Sequence, residues 1–368
     1  MSLLIKELNI KNFRNIESLN LSSINKLTIF LGPNAVGKTS IIEAIQLLTM
    51  QKSFRNSVCA NFIKQGCECS YLSLNAKSEA RNLTIAASVT AHSKKFTLNG
   101  KHKNKESLKG VLPSVVFTPD DLQLAKGSMS YKRNAIDSIG CEVLQNYYIV
   151  KRDYEKVIQH KNSLLKDCSN GALIESLNEL VVTCGAQLFC YRFSLFNRLK
   201  AYMSAYYSEI TKSEEHLTLQ YFPAWVEGFD ELDSSTLLDR NFIRGCLERK
   251  IQEAKHEESA KKCSVVGPHR DKITFFIDGR NVKDFASQGQ QRSVVLAFKL
   301  AEIRLVEEYL GTKPILLLDD VMSELDEQRR NKLTEFIFDS TQTFITTTNI
   351  SYFNDQTLQN ASIVKLPV

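Results

Sequence analysis

Hydrophobic and polar residues alternate along the first part of the chain, which is the pattern of half-buried β-strands. The alternation covers residues 3–13 and 16–21. The mostly apolar stretch 26–31 predicts a buried strand, and the apolar-rich stretch 40–50 predicts a helix. Later runs that favour strands lie at 71–74, 83–89 and 115–117. This part of the chain is therefore expected to be α/β.

The pattern changes between about Asp121 and Lys262, where helical periodicity dominates and Gly and Pro are sparse. The predicted helices lie at 129–148, 149–165, 173–209 and 235–259. None sustains heptads over many turns, so we expect a helical lobe and not a long coiled coil. Strand signals return at 273–277. We predict an α/β domain in two parts with the helical lobe inserted between them, at 1–118, 265–368 and 119–264 respectively.

A glycine-rich segment joins the predicted strand 26–31 to the predicted helix 40–50. Its residues fit G-x-x-x-x-G-K-[ST], the phosphate-binding P-loop, and the candidate nucleotide-binding residues are Gly32, Pro33, Asn34, Ala35, Val36, Gly37, Lys38, Thr39 and Ser40. Glycines allow the backbone N–H groups and the helix N-terminus to approach an anion closely. Lys38 is expected to reach the β- and γ-phosphates of ATP, and the Thr39 hydroxyl is expected to bind Mg²⁺.

An apolar run in the last third of the chain ends in two acids, Asp319 and Asp320. Its unbroken hydrophobicity is typical of a parallel strand buried on both faces. Asp319, at the carboxyl end, is positioned to hold Mg²⁺, and Asp320 could orient or deprotonate a water molecule. The alternative is a core strand followed by a helix-capping Asp. The P-loop elsewhere in the chain favours the metal-binding interpretation.

A second candidate anion site precedes the apolar helix predicted at 293–309. It is the segment 287–292, in which Ser287, Gly289 and Gln290 lie at a helix start. The same residues could form a capping box, with Ser287 as the N-cap and Gln290 three residues later. Both interpretations can hold at once. The next predicted strand, 343–348, places threonine hydroxyls at its carboxyl end, where ligands gather in α/β sheets.

Charge is distributed unevenly along the 368 residues. The whole chain carries a formal charge of +6, whereas residues 51–110 hold eleven Lys and Arg against three Glu, a net of +8. The densest part, 94–105, contains Asn99-Gly100 between two short β-like runs, which predicts a hairpin. Such a basic hairpin could contact the phosphate backbone of a nucleic acid, or it could be an ordinary solvated surface.

Composition excludes several classes of protein. A hydrophobic content of 43% with 24% charged residues is typical of soluble globular domains. No run of 18 apolar residues exists, and the first residues lack the h-region of a signal peptide. The nine cysteines are scattered and show no paired metal spacing, as expected for reduced thiols of a cytoplasmic protein.

The order of these motifs resembles an ABC-type P-loop ATPase head with an inserted helical lobe. The P-loop is followed by SQGQQR at 287–292, LLLDD at 316–320 and SELD at 323–326. Connecting segments resemble the RecF family of bacterial recombination mediators, namely SFR at 53–55, FTPDDL at 117–122, KGS at 126–128, Lys132-Arg133, Asp137, KNSLL at 161–165 and GPHRD at 267–271. Lys272 and Asn134 depart from the family pattern, and residues 51–110 and 168–262 match it only in general character.

The resemblance implies a nucleotide shared between two subunits, each P-loop facing the partner's signature segment. On that basis Ser287, Gly289 and Gln290 would meet the γ-phosphate across the interface, where Asp326 would lie beside them. The implied catalytic residues are Lys38, Asp320, Ser287 and Gln290, with Thr39 and Asp319 as the metal ligands. Arg14, Arg55 and Asp120 are further candidates for nucleotide contact. His269 and Arg270 are either functional or braces within the fold.

The family also implies partners and a cellular role. RecF proteins are weak DNA-dependent ATPases that bind double-stranded DNA and single-strand/double-strand junctions, form an ATP-dependent homodimer and assist RecA loading in DNA repair and replication. RecR is the implied direct partner, with RecO and RecA in the same pathway. The expected cofactors are ATP and Mg²⁺.

Two other functions remain open from the residues. An ABC transporter ATPase subunit would carry an LSGGQ-like signature and a much shorter helical subdomain. A non-ABC P-loop enzyme such as a small-molecule kinase would leave SQGQQR and SELD unexplained. SMC-type proteins share the head, but their insertion is a far longer coiled coil.

Overall fold

The structure, a computed structural model, describes residues 3–55, 58–79, 81–167, 171–212, 215–339 and 342–367. The strands are β1 Leu4–Phe13, β2 Ile16–Ser22, β3 Leu27–Leu31, β4 Cys69–Lys77, β5 Asn82–Thr90, β6 Lys94–Leu98, β7 Lys101–Lys103, β8 Ser114–Phe117, β9 Leu217–Phe222, β10 Lys272–Ile277, β11 Arg280–Asn281, β12 Ile315–Asp319, β13 Thr343–Thr347 and β14 Ala361–Lys365. The helices are α1 Lys38–Met50, α2 Gln123–Lys126, α3 Met129–Val143, α4 Gln145–Lys166, α5 Gly171–Thr211, α6 Ser234–Leu238, α7 Arg240–Glu253, α8 Lys255–Lys261, α9 Val282–Phe285, α10 Gln288–Leu310, α11 Glu327–Asp339 and α12 Asp355–Gln359.

The chain divides into two compact units. The first comprises Met1–Asp121 and Glu302–Val368, and the second comprises Leu122–Ala301. The first boundary lies close to the one expected at 118/119. The second differs from the expected 264/265, because β10 pairs with β9 and β11 in a small antiparallel sheet of the second unit. The strand predicted at 273–277 is present as β10, but it does not belong to the sheet that carries the P-loop.

A five-stranded parallel sheet forms one half of the first unit, in the order β14-β3-β13-β12-β8. Its three central strands are almost completely buried, which explains the apolar run of β12 and the mostly apolar sequence of β3. Parallel pairing aligns the carboxyl ends of β3, β12 and β13, and it sets Asp319 opposite Thr346. The P-loop after β3, Asp319 of β12 and the threonine hydroxyls of β13 thereby lie at the same edge of the parallel sheet.

A six-stranded antiparallel sheet, in the order β2-β1-β4-β5-β6-β7, completes the first unit. Helix α1 contacts strands of both sheets and is buried along almost its whole length. The resulting core joins apolar side chains from α1, β1, β4 and β5 with Phe30 and Phe344 of the parallel sheet. Asn99 and Gly100 connect β6 to β7 with φ of 49° and 77°, so the predicted hairpin is confirmed with the turn geometry that Asn-Gly favours.

The second unit is mainly helical, as predicted, although several helix bounds differ. Extended backbone at Leu144 separates α3 from α4, four residues before the expected break. The single helix expected at 235–259 is three helices, which are interrupted at Asp239 and Ala254. Strand β9 was not predicted at all. Its sequence alternates in burial, and its buried face packs on α5.

Helix α5 is the long core element of the second unit. Of the described helices, it alone is long and apolar enough to cross a membrane by length and composition. Its rings pack within the unit instead: Phe189 lies 5.1 Å from Trp225, and Phe196 lies 5.3 Å from Tyr221, between ring centroids. Contacts with α4 and α7 cover other faces of the helix. The apolar composition of α5 is therefore that of a core helix.

Candidate active site

The loop 32–37 leads from β3 into α1 with backbone geometry that requires glycine at its ends. Gly37 has φ of 104°, and a Cβ there would lie 3.3 Å from the Asn15 amide. A Cβ on Gly32 would lie only 2.8 Å from the carbonyl oxygen of Leu366. Ala35, at φ 68°, also adopts the left-handed region. This curled backbone ends at the N-terminus of α1, the arrangement that binds phosphate.

Lys38 is folded back over the loop. Its Nζ donates to the carbonyl oxygens of Gly32 and Pro33, at 2.7 Å each. Burial lowers the pKa of Lys38, and the carboxylates of Asp320 and Asp319 oppose that shift. The ammonium is thus held at the loop by two acceptors that a phosphate oxygen could replace.

Thr39 and Asp319 meet at the carboxyl edge of the parallel sheet. The Thr39 hydroxyl donates to Asp319 Oδ1 at 2.9 Å, and the Thr346 hydroxyl donates to the same oxygen at 2.8 Å. Burial raises the pKa of Asp319, while these two hydrogen bonds lower it. A carboxylate beside a threonine hydroxyl fits Mg²⁺, which needs few protein oxygens when phosphates and water supply the rest. Within the described residues, no group of three or more His, Cys, Asp or Glu offers a different metal site.

Asp320 adopts a strained conformation beside this pair. Its φ is 54°, and its backbone N–H donates to the Thr346 hydroxyl at 2.9 Å. The Oδ1 atom is buried and accepts no hydrogen bond within the described part of the chain. Burial raises the pKa of Asp320, Lys38 lowers it, and Asp319 raises it further. A carboxylate held in this way can accept a bond from a water molecule or a ligand.

A cavity of about 630 Å³ opens over the loop. It is lined by Arg14, Asn15, Asn34, Ala35, Gly37, Lys38, Thr39, Ser40, Arg55, Ala60, Asn61, Ile63, Gln65 and Asp320. All of these residues belong to the first unit. Asp120, predicted to contact the nucleotide, is exposed in a short 3₁₀ turn after β8 and does not line this cavity.

Two arginines and two residues that the sequence analysis missed shape the cavity wall. Arg14 donates to both carboxylate oxygens of the fully buried Glu43, at 2.9 and 2.7 Å, and Arg55 lies 3.9 Å from the same group. Asn15 donates to the Ala35 carbonyl at 3.0 Å and accepts from the Ser40 hydroxyl at 2.9 Å. Glu43 could have been identified from the sequence, because it is an acid within the apolar stretch predicted as a helix at 40–50. A carboxylate buried in this way needs a cation nearby.

The signature segment 287–292 begins α10 in the capped form considered from the sequence. Gln290 N–H donates to the Ser287 hydroxyl at 3.2 Å, and Ser287 N–H donates to Gln290 Oε1 at 2.9 Å. Gln290 also donates to Glu215 at 2.8 Å. Asp326 caps α11 by accepting from the N–H of Arg329 at 2.9 Å, and it pairs with the guanidinium of that residue. None of Ser287, Gly289, Gln290 and Asp326 lines the cavity over the P-loop.

The GPHRD segment is a brace inside the second unit. Arg192 donates to both oxygens of Asp137, at 2.7 and 2.9 Å, and to the Pro268 carbonyl at 2.6 Å. It also lies 3.5 Å from Asp271, which accepts from Trp225 at 2.7 Å and from Tyr221. Burial raises the pKa of Asp271 to about 6, and Arg192 opposes the shift. The network ties α3, α5 and β9 to one short segment.

His269 and Arg270 belong to the same brace. The hydroxyl of Tyr154 lies 2.7 Å from His269 Nδ1, and Arg270 donates to the Ser264 carbonyl at 2.8 Å. Burial lowers the pKa of His269 to about 4, so the ring is neutral at physiological pH. Of the two roles considered for this pair, these contacts describe a structural one.

The sequence of the chain is similar to those of known proteins over nearly its whole length. The profile of the RecF/RecN/SMC N terminal domain family matches residues 4–365. The DNA replication and repair protein RecF of Bacillus cereus (strain G9842) is 33% identical over 366 residues, 98% of this chain and 96% of the relative. The corresponding protein of Bacillus thuringiensis (strain Al Hakam) is 32% identical over the same length and the same shares.

Solved structures give the same result. The recombination mediator protein RecF in its ATPrS form, from the RecFOR pathway, superposes with a TM-score of 0.87 at 30% identity, covering 96% of this chain and 94% of the other. The Smc head domain derived from Pyrococcus furiosus gives 0.55 at 15% identity, covering 99% and 93%, which supports the fold alone. The architecture is thus that of an ABC-type ATPase head with an inserted helical unit.

Proposed function

The chain belongs to the RecF family within the RecF/RecN/SMC group, and from that premise we propose that it is an ATP-dependent DNA-binding protein of recombinational repair and replication restart. The observation that carries this proposal is the P-loop cavity, which is lined by Lys38 and Thr39 of α1 and by Asp320 directly after β12, while Asp319 accepts a hydrogen bond from Thr39. The match spans both units at about a third identity. The transporter-subunit and kinase alternatives therefore lose their basis.

The cavity residues have distinct proposed roles in ATP hydrolysis. The N–H groups of the loop and Lys38 would bind the phosphates, and Arg14 and Arg55 would complete the wall around the nucleotide. Thr39 and Asp319 would hold Mg²⁺, which neutralises phosphate charge. Asp320 would accept a proton from the attacking water molecule, because it lines the same cavity and its Oδ1 accepts no hydrogen bond among the described residues.

We propose that the active site is completed by a second copy of the chain. The lining residues of the cavity come from the first unit only, and the cavity is open. Ser287, Gly289 and Gln290 present a capped helix N-terminus, which favours a γ-phosphate, and Asp326 would lie beside them at the interface. In a two-fold dimer each copy would supply its signature segment to the other.

We also propose how this protein acts on DNA, with which partners and in which compartment. A weak ATPase that dimerises on single-strand/double-strand junctions would act as a clamp, with RecR as a direct partner and RecO and RecA in the same pathway. Such a protein would work in the cytoplasm, where its DNA substrate lies. The eight described cysteines are free thiols, as a reducing compartment requires, and Cys168 lies outside the described residues.

Neutralising the basic hairpin should weaken DNA binding in a way that depends on salt. Replacing Lys94, Lys95, Lys101, Lys103 and Lys105 with Gln removes positive charge from β6, β7 and the turn after them. The slope of log affinity against log salt should become shallower by about 0.9 for each lysine that contacts a phosphate. Fluorescence anisotropy of a labelled duplex over a salt series measures this slope.

The matched control for this experiment replaces the same five lysines with Arg. That variant keeps every charge, so its salt slope should equal that of the parent. If the Gln variant also keeps the parental slope, these lysines do not contact DNA, and the hairpin is an ordinary solvated surface.

A further inference from the structure

One short turn in the first unit borders the nucleotide cavity and also receives a lysine from a second cavity. The turn is the 3₁₀ segment Cys59–Phe62. Ala60, Asn61 and the following Ile63 line the cavity over the P-loop. The Phe62 ring between them is fully buried and stacks on Phe13 at 5.8 Å between centroids. Because Phe62 belongs to the same turn as Ala60 and Asn61, a displacement of its ring would also displace the cavity wall.

The second cavity is basic and lies at the β6–β7 hairpin. It has a volume of about 500 Å³ and is lined by Lys94, Lys95, Phe96, His102, Lys103, Asn104, Lys105 and Glu106. Four lysines and a histidine against a single acid favour an anionic ligand. The partly buried Lys94 is placed differently from the rest, because its Nζ lies 4.1 Å from the centroid of the Phe62 ring.

Arg14 approaches the same ring from the nucleotide cavity. Its guanidinium carbon lies 5.1 Å from the Phe62 centroid, while its nitrogens bind Glu43. Two cations that share one ring repel each other. Burial lowers the pKa of Lys94; the charges of Lys105 and Arg14 act in the same direction, and those of Cys59 and Glu43 oppose it. Keeping the Lys94 ammonium charged at this position is therefore energetically unfavourable, and a bound anion nearby would stabilise the charge.

We propose that the basic cavity binds a phosphate of the DNA backbone, and that Lys94 couples its occupancy to ATP binding through Phe62 and Arg14. The proposal rests on the proposed function, since it names the DNA contact that regulates the nucleotide site. A bound phosphate neutralises Lys94, which removes the repulsion on Arg14 and strengthens its pairing with Glu43. The wall of the nucleotide cavity is then better ordered, so ATP binds more tightly. By linkage, ATP raises the affinity for DNA by the same factor.

The test is the affinity of the full-length chain for ATPγS, measured with and without a saturating DNA duplex. The parent should bind the analogue about fivefold or more tightly with DNA, the lower end of typical coupling. In Lys94→Met and in Lys94→Gln the ratio should fall close to one, because the charge that responds to phosphate is gone. Lys77→Gln is the matched control. It removes one exposed charge from the end of β4, outside the hairpin and the basic cavity, so it should keep the parental ratio.

A third variant, Phe62→Leu, removes the shared ring while keeping an apolar side chain. It should bind DNA and ATPγS, yet lose the coupling ratio as the Lys94 variants do. A second arm replaces the duplex with polyglutamate, an anionic polymer without phosphate, which should not reproduce the effect. A full effect of polyglutamate would make the basic cavity a general site for polyanions and overturn the DNA assignment.

If the parent does not bind DNA, the proposed function fails together with this inference. If the parent binds DNA but shows a ratio of one, or if both Lys94 variants keep the parental ratio, only the coupling through Lys94 is overturned.

Discussion

Replacing Asp320 with Asn should lower ATP turnover by about a hundredfold or more, while ATP affinity stays within a few-fold of the parent. The carboxylate is the group at the cavity whose Oδ1 is buried without a partner among the described residues, and burial raises its pKa. An amide of the same shape can still accept a hydrogen bond, but it cannot take the proton of the attacking water. Single-turnover phosphate release measures the chemical step directly.

Asp319→Asn is the matched comparison, one residue away. Asp319 accepts bonds from Thr39 and Thr346, so its loss should weaken Mg²⁺-dependent ATP binding and not only turnover. The two variants should therefore separate when nucleotide affinity is titrated with Mg²⁺ and with EDTA. Equal loss of binding in both variants would contradict the distinction between a metal ligand and a proton acceptor.

Arg192→Met should destabilise the second unit by about 3–5 kcal/mol, the cost of leaving a buried charge without its partner. Arg192 is 2% exposed and lies between the carboxylates of Asp137 and Asp271. Met fills part of the volume but pairs with neither acid. Urea unfolding followed by tryptophan fluorescence measures this loss, because Trp225 is the chain's single tryptophan and donates to Asp271.

The deficit of Arg192→Met should depend on pH. Burial already raises the pKa of Asp271 to about 6, and losing Arg192 removes a group that lowers it. A carboxyl whose pKa is higher in the folded state than in the unfolded state loses stabilisation as pH rises through the folded value. The variant should therefore be closer to the parent at about pH 5 than at about pH 8. Lys200→Met, an exposed charge on the same helix, should change stability little at either pH. A deficit below about 1 kcal/mol in Arg192→Met would contradict the bracing role of GPHRD.

The core of the candidate site was predictable from the sequence because its chemistry lies in contiguous residues. The loop 32–37 needs glycine for its backbone, and Asp319 is the last residue of an apolar strand. Parallel pairing then places Thr39 and Asp319 within hydrogen-bond distance. In contrast, Asn15 reaches the loop only through the pairing of β1 with β2, which leaves no local pattern. Glu43 reaches Arg14 only through the packing of α1, and an acid within the apolar helix was its single local signal.

The fold was less predictable where elements pair across long separations. Strand β10 carries a clear apolar run, but nothing in that run tells whether its partner is the parallel sheet or β9. β9 itself is only six residues long and follows a helix of 41 residues. The break at Leu144 falls within a sequence that is helical by periodicity on both sides.

In the proposed dimer, each active site is shared between two copies of the chain. Lys38→Ala spoils the P-loop of its own subunit, and Ser287→Arg spoils the signature segment offered to the partner. Any dimer of either pure variant would have two defective sites. A heterodimer of the two combines both defects in one site and leaves the other site with an intact P-loop and an intact signature segment.

The most direct test is the ATPase rate of an equimolar mixture of these two variants, after mass photometry has confirmed ATP-dependent heterodimers with subunits of distinguishable mass. Random assembly should give up to about a quarter of the parental rate, since half of the dimers would hold one intact site of two. If the heterodimers form but the mixture stays inactive, while Ser287→Arg alone hydrolyses ATP at the parental rate, the shared-site mechanism is contradicted.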